Sequence, residues 1–161
     1  MPLIRNGDWA DDDFVTVADE TPLPDGAVIV SLARFEKERE ALLARNAKLG
    51  VHLAAPQSPE ALGEDVHRLS VVVLEFSAFK DGRAFSWARL LRTRLGYTGE
   101  IRARGHFLVD QLAHLMRVGF TAFDGDARIT PAALARALAE ISYRYQSAPD
   151  GQKTIRELRA S

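Results

Sequence analysis

Short apolar segments rich in β-branched residues alternate with longer segments of helical periodicity along most of the chain. The apolar segments predict five buried strands at residues 27–31, 51–54, 71–76, 100–103 and 120–123. The longer segments predict five helices at residues 32–48, 60–68, 85–95, 107–118 and 131–143. This alternation is typical of α/β proteins. We therefore expect a three-layer sandwich whose five-stranded, mostly parallel sheet has the flavodoxin-like order 2-1-3-4-5.

A glycine follows three of the predicted helices and marks where each should end. Gly50, Gly96 and Gly119 each stand between two apolar residues, and glycine readily adopts the left-handed conformation that closes a helix. At the start of the last helix, Thr130 is the expected N-cap and Pro131 fits the first turn.

The chain divides by composition into an arm, a domain and a tail. Residues 1–26 form an acidic, extended N-terminal arm, residues 27–147 the α/β domain, and residues 148–161 a polar C-terminal tail. The arm is either solvated, or it packs through Trp9 and Phe14 on the domain or on a second subunit. Its carboxylates could also lie near the arginines described below.

Composition narrows the classes of function. The chain has 161 residues, no cysteine and a net charge of −1. The absence of cysteine excludes disulfides, thiol nucleophiles and Cys-ligated metal centres, and the near-neutral charge disfavours a general nucleic-acid-binding protein. No segment has the apolar length of a signal peptide or a membrane helix, so we expect a cytoplasmic protein with no membrane partner.

Polar residues follow the predicted strands, where an open α/β sheet places its ligand site. The third strand leads to Asp81, Gly82 and Arg83, and the fourth leads to Arg104 and Gly105. We expect these loops to share one rim, where the two arginines and the N-terminus of the next helix bind an anion or a partner protein. In the alternative interpretation, Arg83 pairs with Asp81 or Glu75 as part of the surface structure.

Two further residues extend the predicted site, and a third is a candidate base. Ser86 is the expected N-cap of the helix after the third strand, and Gln111 is expected to hydrogen-bond a neighbouring loop. Asp110 is the one candidate for a catalytic base. Together with His106 and His114, at a spacing of four residues, it suits either a metal or proton relay or a solvent-facing polar stripe. We favour the stripe and expect no metal site.

Six arginines and no lysine occur between residues 83 and 104, with a single acidic residue among them. They are Arg83, Arg89, Arg92, Arg94, Arg102 and Arg104. Exclusive use of arginine favours planar recognition of anions or stacking. The segment suits an anionic protein partner, or an acidic patch of the same chain, at least as well as RNA. The chain has no dinucleotide-binding, Walker A, nucleophile-elbow or H-E-x-x-H motif, so no cofactor or reaction is identified.

A longer pattern spans residues 76–123. Its residues are Phe79, Asp81, Gly82, Arg83, Ser86, Ala88, Arg89, Leu91, Arg92, Arg94, Gly96, Tyr97, Gly99, Glu100, Arg102, Ala103, Gly105, Asp110, Gln111, Arg117, Gly119, Phe120 and Phe123. This pattern resembles the bacterial domain-of-unknown-function 934 family, whose biochemistry is uncharacterised. Members of that family are typically encoded beside assimilatory sulfite or nitrite reductase. The resemblance therefore implies a bacterial cytoplasmic protein linked to sulfite reduction, of a kind sometimes labelled an oxidoreductase.

These observations support three hypotheses of function. We expect an accessory protein of assimilatory sulfate or sulfite reduction that uses the arginine-rich rim to bind a small anion, sulfite reductase or another sulfate-assimilation protein. The alternatives are an enzyme acting on a small oxyanion and a structural, homo-oligomeric assembly factor. An enzyme requires a concave pocket with a titratable group of shifted pKa, whereas an accessory protein tolerates a flat surface.

Overall fold

The computed structural model describes residues 3–78 and 81–141, and the predicted C-terminal tail lies outside these ranges. The strands are β1 (Leu3–Arg5), β2 (Asp8–Ala10), β3 (Val15–Thr16), β4 (Val28–Ser31), β5 (Leu49–Leu53), β6 (Val71–Phe76), β7 (Glu100–Gly105) and β8 (Ala122–Asp124). The α-helices are α1 (Leu32–Lys37), α2 (Arg39–Leu43), α3 (Arg83–Thr93), α4 (Leu112–Val118) and α5 (Pro131–Ile141). Two 3-10 helices, Pro59–Arg68 and Val109–Gln111, precede β6 and α4.

All eight strands belong to one sheet with the order β2-β1-β8-β7-β6-β5-β4-β3. Neighbours from β3 to β8 are parallel, whereas β1 is antiparallel to both β8 and β2. The predicted α/β class is confirmed. The predicted order 2-1-3-4-5 is wrong, because the five expected strands, β4 to β8, lie in sequential order.

The helices pack on one face of the sheet, which corrects the expected three layers to two. Crossover connections of one hand place every helix on the same side when strands follow each other in sequential order. On β6, Leu74 belongs to the large core that contains the buried residues of the helices. The alternate residues Val71 and Val73 belong to a separate small cluster with Ile29 and Phe14. Within the described part of the chain, N-terminal residues and not a helix therefore cover the second face.

The length of the N-terminal segment shows that the sheet is strongly curled. β2 and β3 lie at opposite edges of the eight-stranded sheet. In a flat sheet these edges would be about 34 Å apart, at about 4.8 Å per strand spacing. The five residue steps from Ala10 to Val15 span at most about 18 Å. The sheet therefore curls, and residues 11–16, here called the strap, cross the helix-free side, here called the concave face.

Local signals at helix ends account for part of this architecture. Gly96 and Gly119 have φ values of 65° and 119°, which confirms their left-handed conformation. Thr130 caps α5 by accepting a hydrogen bond from the Ala133 backbone at 3.1 Å, also as predicted. Gly50 was expected to end a helix but lies within β5. A Cβ there would collide with Val71, so packing rather than dihedral angle explains this glycine.

The predicted helix at residues 32–48 is divided at Glu38, whose φ of −116° interrupts the helix between α1 and α2. Within the part of the chain that the structure describes, no helix is long and apolar enough to cross a membrane.

Candidate functional site

Five polar residues end the parallel strands on the concave face, and we call them the carboxyl-end row. They are Ser31 on β4, His52 on β5, Glu75 on β6, Arg104 on β7 and Asp124 on β8. Strand register places Ser31 beside His52, and Arg104 between Glu75 and Asp124. The carboxyl ends of parallel strands are where α/β folds place ligands, so this row is the candidate site.

His52 and Glu75 form a partly buried pair at the centre of the row. The imidazole Nε2 lies 3.2 Å from Glu75 Oε2. Burial lowers the pKa of His52, Glu75 opposes that shift, and the positive charge of Arg104 lowers the pKa further. Burial therefore disfavours the charged form of His52, and Glu75 lies at ion-pair distance from its ring.

Arg104 is held by two contacts within the chain. Its Nε donates to Asp124 Oδ2 at 3.0 Å, and its Nη1 donates to Thr16 Oγ1 of the strap at 3.4 Å. The second carboxylate oxygen of Asp124 is buried and has no hydrogen-bond partner among the described residues. Arg104 therefore lies between two carboxylates of the row, those of Glu75 and Asp124.

One layer deeper on the concave face, Arg102 is fully buried. Its Nη1 donates to Asp12 Oδ2 at 3.0 Å, and its Nε donates to Glu100 Oε1 at 2.9 Å. Glu100 also accepts from Arg5 Nε at 2.7 Å. The acidic N-terminal segment thus lies against an arginine. This is one of the arrangements that the sequence suggested for the carboxylates of the arm.

Asp81 and Arg83 of the predicted rim bind each other. The Arg83 guanidinium contacts both carboxylate oxygens of Asp81, at 2.9 and 3.0 Å, and the Arg83 backbone donates to Asp81 at 3.1 Å. The hydrogen bond from the Arg83 side chain is the largest cause that lowers the pKa of Asp81 to about 2. The alternative interpretation of the sequence, in which Arg83 pairs with a nearby carboxylate, describes this contact. Arg104 instead contacts Asp124 and Thr16.

The neighbouring residues of the predicted rim have structural explanations. Helix α3 begins at Arg83 with Gly82 as its cap residue, so Ser86 is an exposed residue inside the helix and not its N-cap. Gly105 has a φ of 107°, and a Cβ there would lie 2.5 Å from the Phe76 carbonyl oxygen. Glycine at position 105 is therefore required by close packing between β6 and β7.

Gln111 and Asp110 lie on the helix side of the same edge of the sheet. The Gln111 side chain accepts a hydrogen bond from the Leu108 backbone at 2.8 Å, which closes the turn before α4. Asp110 is exposed and lines a cavity of about 230 Å³ together with Asp126 and Arg128. No group of three or more His, Asp or Glu residues suited to a metal occurs in the described ranges.

The six arginines between residues 83 and 104 do not form one surface. Arg102 is buried, and Arg104 is partly buried on the concave face. The Arg92 guanidinium donates to three backbone carbonyls, those of Tyr97, Gly99 and Gly119, at 2.7 to 3.1 Å. Arg83, Arg89 and Arg94 remain exposed along α3. Arg89 and Arg92 therefore have different surroundings, although both lie on α3.

Sequence reasoning missed His52 and Glu75 as members of the site. Both lie within strands, whereas ligand residues of α/β folds are expected in the loops after strands. Polar residues at every second position of β7, namely Glu100, Arg102 and Arg104, were the available signal. Such an alternation predicts a strand with one polar face, and that face is the concave one.

The model of one protein family matches the chain. It is described as "Bacterial protein of unknown function (DUF934)", and it covers residues 50–156. The matched residues include His52, Glu75, Arg104 and Asp124 of the carboxyl-end row. No curated protein matches the chain.

Proposed function

We propose that this protein, which belongs to the bacterial family of unknown function DUF934, is an accessory protein of assimilatory sulfate or sulfite reduction. It acts by binding sulfite reductase or another protein of sulfate assimilation. The sulfur context rests on the family resemblance. The choice of a protein partner rests on the arginines of α3.

The observation that carries this proposal is the exposure of Arg83, Arg89 and Arg94 along α3, here called the α3 arginine surface. Arg94 contacts one carboxylate, that of Glu60, at an exposed position, where ion pairs are weak and exchangeable, whereas Arg83 is held by both carboxylate oxygens of Asp81. Among the described residues, no carboxylate lies within ion-pair distance of Arg89. An acidic surface of a partner can therefore engage Arg89 and Arg94 without breaking a buried contact.

A free small oxyanion is less well supported as the ligand. At the rim, Arg83 is already engaged by both carboxylate oxygens of Asp81. On the concave face, Arg104 is engaged by Asp124, and Glu75 adds a second carboxylate beside it. An oxyanion would have to displace a carboxylate at either place, against electrostatic repulsion. The small-oxyanion enzyme is therefore not our conclusion.

The binding of purified sulfite reductase from the same bacterium tests the proposal by biolayer interferometry. We expect Arg89→Glu to weaken binding about tenfold, because it places a negative charge in the α3 arginine surface. Arg136→Glu is the matched control, since it makes the same charge change at an exposed position of α5 and should leave binding unchanged. No binding by the wild-type chain, or equal losses in the two variants, would contradict the proposed surface.

The sulfur link is tested separately by growth. Deletion of the gene, with no second copy present, should impair growth on sulfate without cysteine. Normal growth of that strain would remove the link to sulfite reduction while leaving the α3 arginine surface to be assigned to another partner.

A further inference from the structure

We infer that the concave face is a binding site for an extended acidic segment of a partner protein, and that the strap occupies this site as an internal ligand. The strap turns three alternate side chains toward the face, namely Asp12, Phe14 and Thr16. Each contacts a different part of the face, as the side chains of a bound peptide strand would. This site is separate from the α3 arginine surface and does not depend on the function proposed for it.

Asp12 forms an ion pair with the buried arginine of the concave face, Arg102. Its carboxylate lies 3.0 Å from the Nη1 of Arg102, a residue with no exposed surface. The Phe14 backbone also donates to Asp12 Oδ1 at 3.1 Å, which orients the carboxylate. Glu100 stays beside Arg102 when Asp12 leaves, but the buried Nη1 of Arg102 then loses its carboxylate, so the face favours an acidic occupant.

Phe14 contacts an apolar part of the concave face, and Thr16 contacts a polar part. The Phe14 ring packs against Ile29, Val71 and Val73, and the Arg102 guanidinium lies 5.7 Å from the ring centre. Thr16 accepts a hydrogen bond from Arg104. The three contact residues are spaced by two, which is the period of an extended strand. The face thus fits an Asp-x-aromatic-x-hydroxyl segment.

The backbone of the strap adds a short parallel strand to β4. The amides of Val15 and Val17 donate to the carbonyls of Ala27 and Ile29, at 3.0 and 2.9 Å. Strand addition of this kind is a recurring mode of peptide recognition, with backbone bonds for affinity and alternate side chains for specificity. β3 has two residues and lies at the sheet edge, so little ordered structure must open to release it.

The occupant we assign is foreign to this chain because exchange between two copies gains nothing. Each copy already holds its own strap, and a tethered segment has an effective concentration on the order of millimolar. If two copies exchanged their straps, each contact would be replaced by an identical one. A partner that adds contacts elsewhere on its own surface can displace the strap.

A labelled synthetic peptide of residues 10–18 is the probe, with fluorescence anisotropy as the readout. The receptor is the full chain with Asp12→Ala and Phe14→Ala, which weakens the internal ligand. We expect this variant to bind the peptide at least tenfold more tightly than the wild-type chain, whose strap competes. If the double variant does not fold by circular dichroism, Phe14→Ala alone serves as the receptor, since it keeps the contact between Asp12 and Arg102.

Changes in the peptide test the contacts without altering the protein. Asp12→Asn in the peptide should weaken binding at least tenfold, because it removes the carboxylate that meets Arg102. Asp13→Asn is the matched control: it makes the same change of charge one position away, where an extended segment points away from the face, and should change binding less than threefold.

Three results would overturn the inference. The first is no binding of the peptide at 1 mM to a folded receptor variant. The second is equal weakening by the two asparagine peptides, which would reduce the interaction to non-specific attraction of charge. The third is a dimer of the wild-type chain that disappears in the double variant, which would assign the concave face to a second copy.

Discussion

At the scale of a single residue, His52 makes the folding stability of the protein depend on pH. Burial lowers its pKa from the usual 6.5, so the unfolded chain takes up a proton at a higher pH than the folded chain. The contribution of His52 to folding stability is therefore fully present above pH 6.5, and it is lost as the pH falls below 6.5. We expect the urea midpoint of the wild-type protein to fall between about pH 7.5 and 5.5, and His52→Asn to reduce that fall.

The control for this prediction is His67→Asn. His67 is exposed on the 3-10 helix before β6, so its replacement should leave the fall in the urea midpoint as large as in the wild-type protein. An undiminished fall in His52→Asn would show that groups other than His52 govern the pH dependence.

Single residues were predictable where one local geometry decides their role. Thr130 and Gly119 were correctly assigned, because caps and left-handed turns depend on a few neighbouring residues. Gly50 was misassigned, because its role depends on Val71 of a different strand. His52 was missed for the same reason, since nothing local indicates that β5 and β6 are neighbours.

At the scale of elements, Arg92 joins the end of α3 to two loops. Its guanidinium donates to the carbonyls of Tyr97 and Gly99 before β7 and to that of Gly119 before β8. We expect Arg92→Met, which keeps the apolar stem, to lower the free energy of unfolding by roughly 2 kcal/mol, because carbonyls lose charged donors. Urea denaturation followed by circular dichroism measures this change.

Arg89→Met is the comparison for Arg92→Met, because Arg89 is exposed on the same helix. A change within about 0.5 kcal/mol is expected there, as for most surface substitutions. Equal losses in the two variants would mean that the carbonyl contacts of Arg92 add no stability. The contact between Arg92 and Gly119 joins residues far apart in the chain, so no local sequence pattern predicts it.

At the scale of the whole molecule, the sequence predicted elements more reliably than their arrangement. The five apolar strands occur close to their predicted positions, since each is a strong local signal. Their order is set by which edges of neighbouring strands pair, and α/β crossovers are compatible with both the sequential and the flavodoxin-like order. The strands β1 to β3 have two or three residues each, too few for periodicity to distinguish them from an extended arm.

The observed order of the strands predicts that β3 and β6 differ in local stability. β6 is hydrogen-bonded to β5 and β7 along its length and carries buried residues on both faces, whereas β3 pairs only with β4. Native-state hydrogen exchange should therefore show the Val15 amide opening at a lower free energy than the amides of Val72 and Val73. Asp12→Ala combined with Phe14→Ala should speed exchange at Val15 much more than at β6. If Val15 were as protected as β6, the strap would be an integral strand of the fold, and a partner segment could replace it only by unfolding the protein.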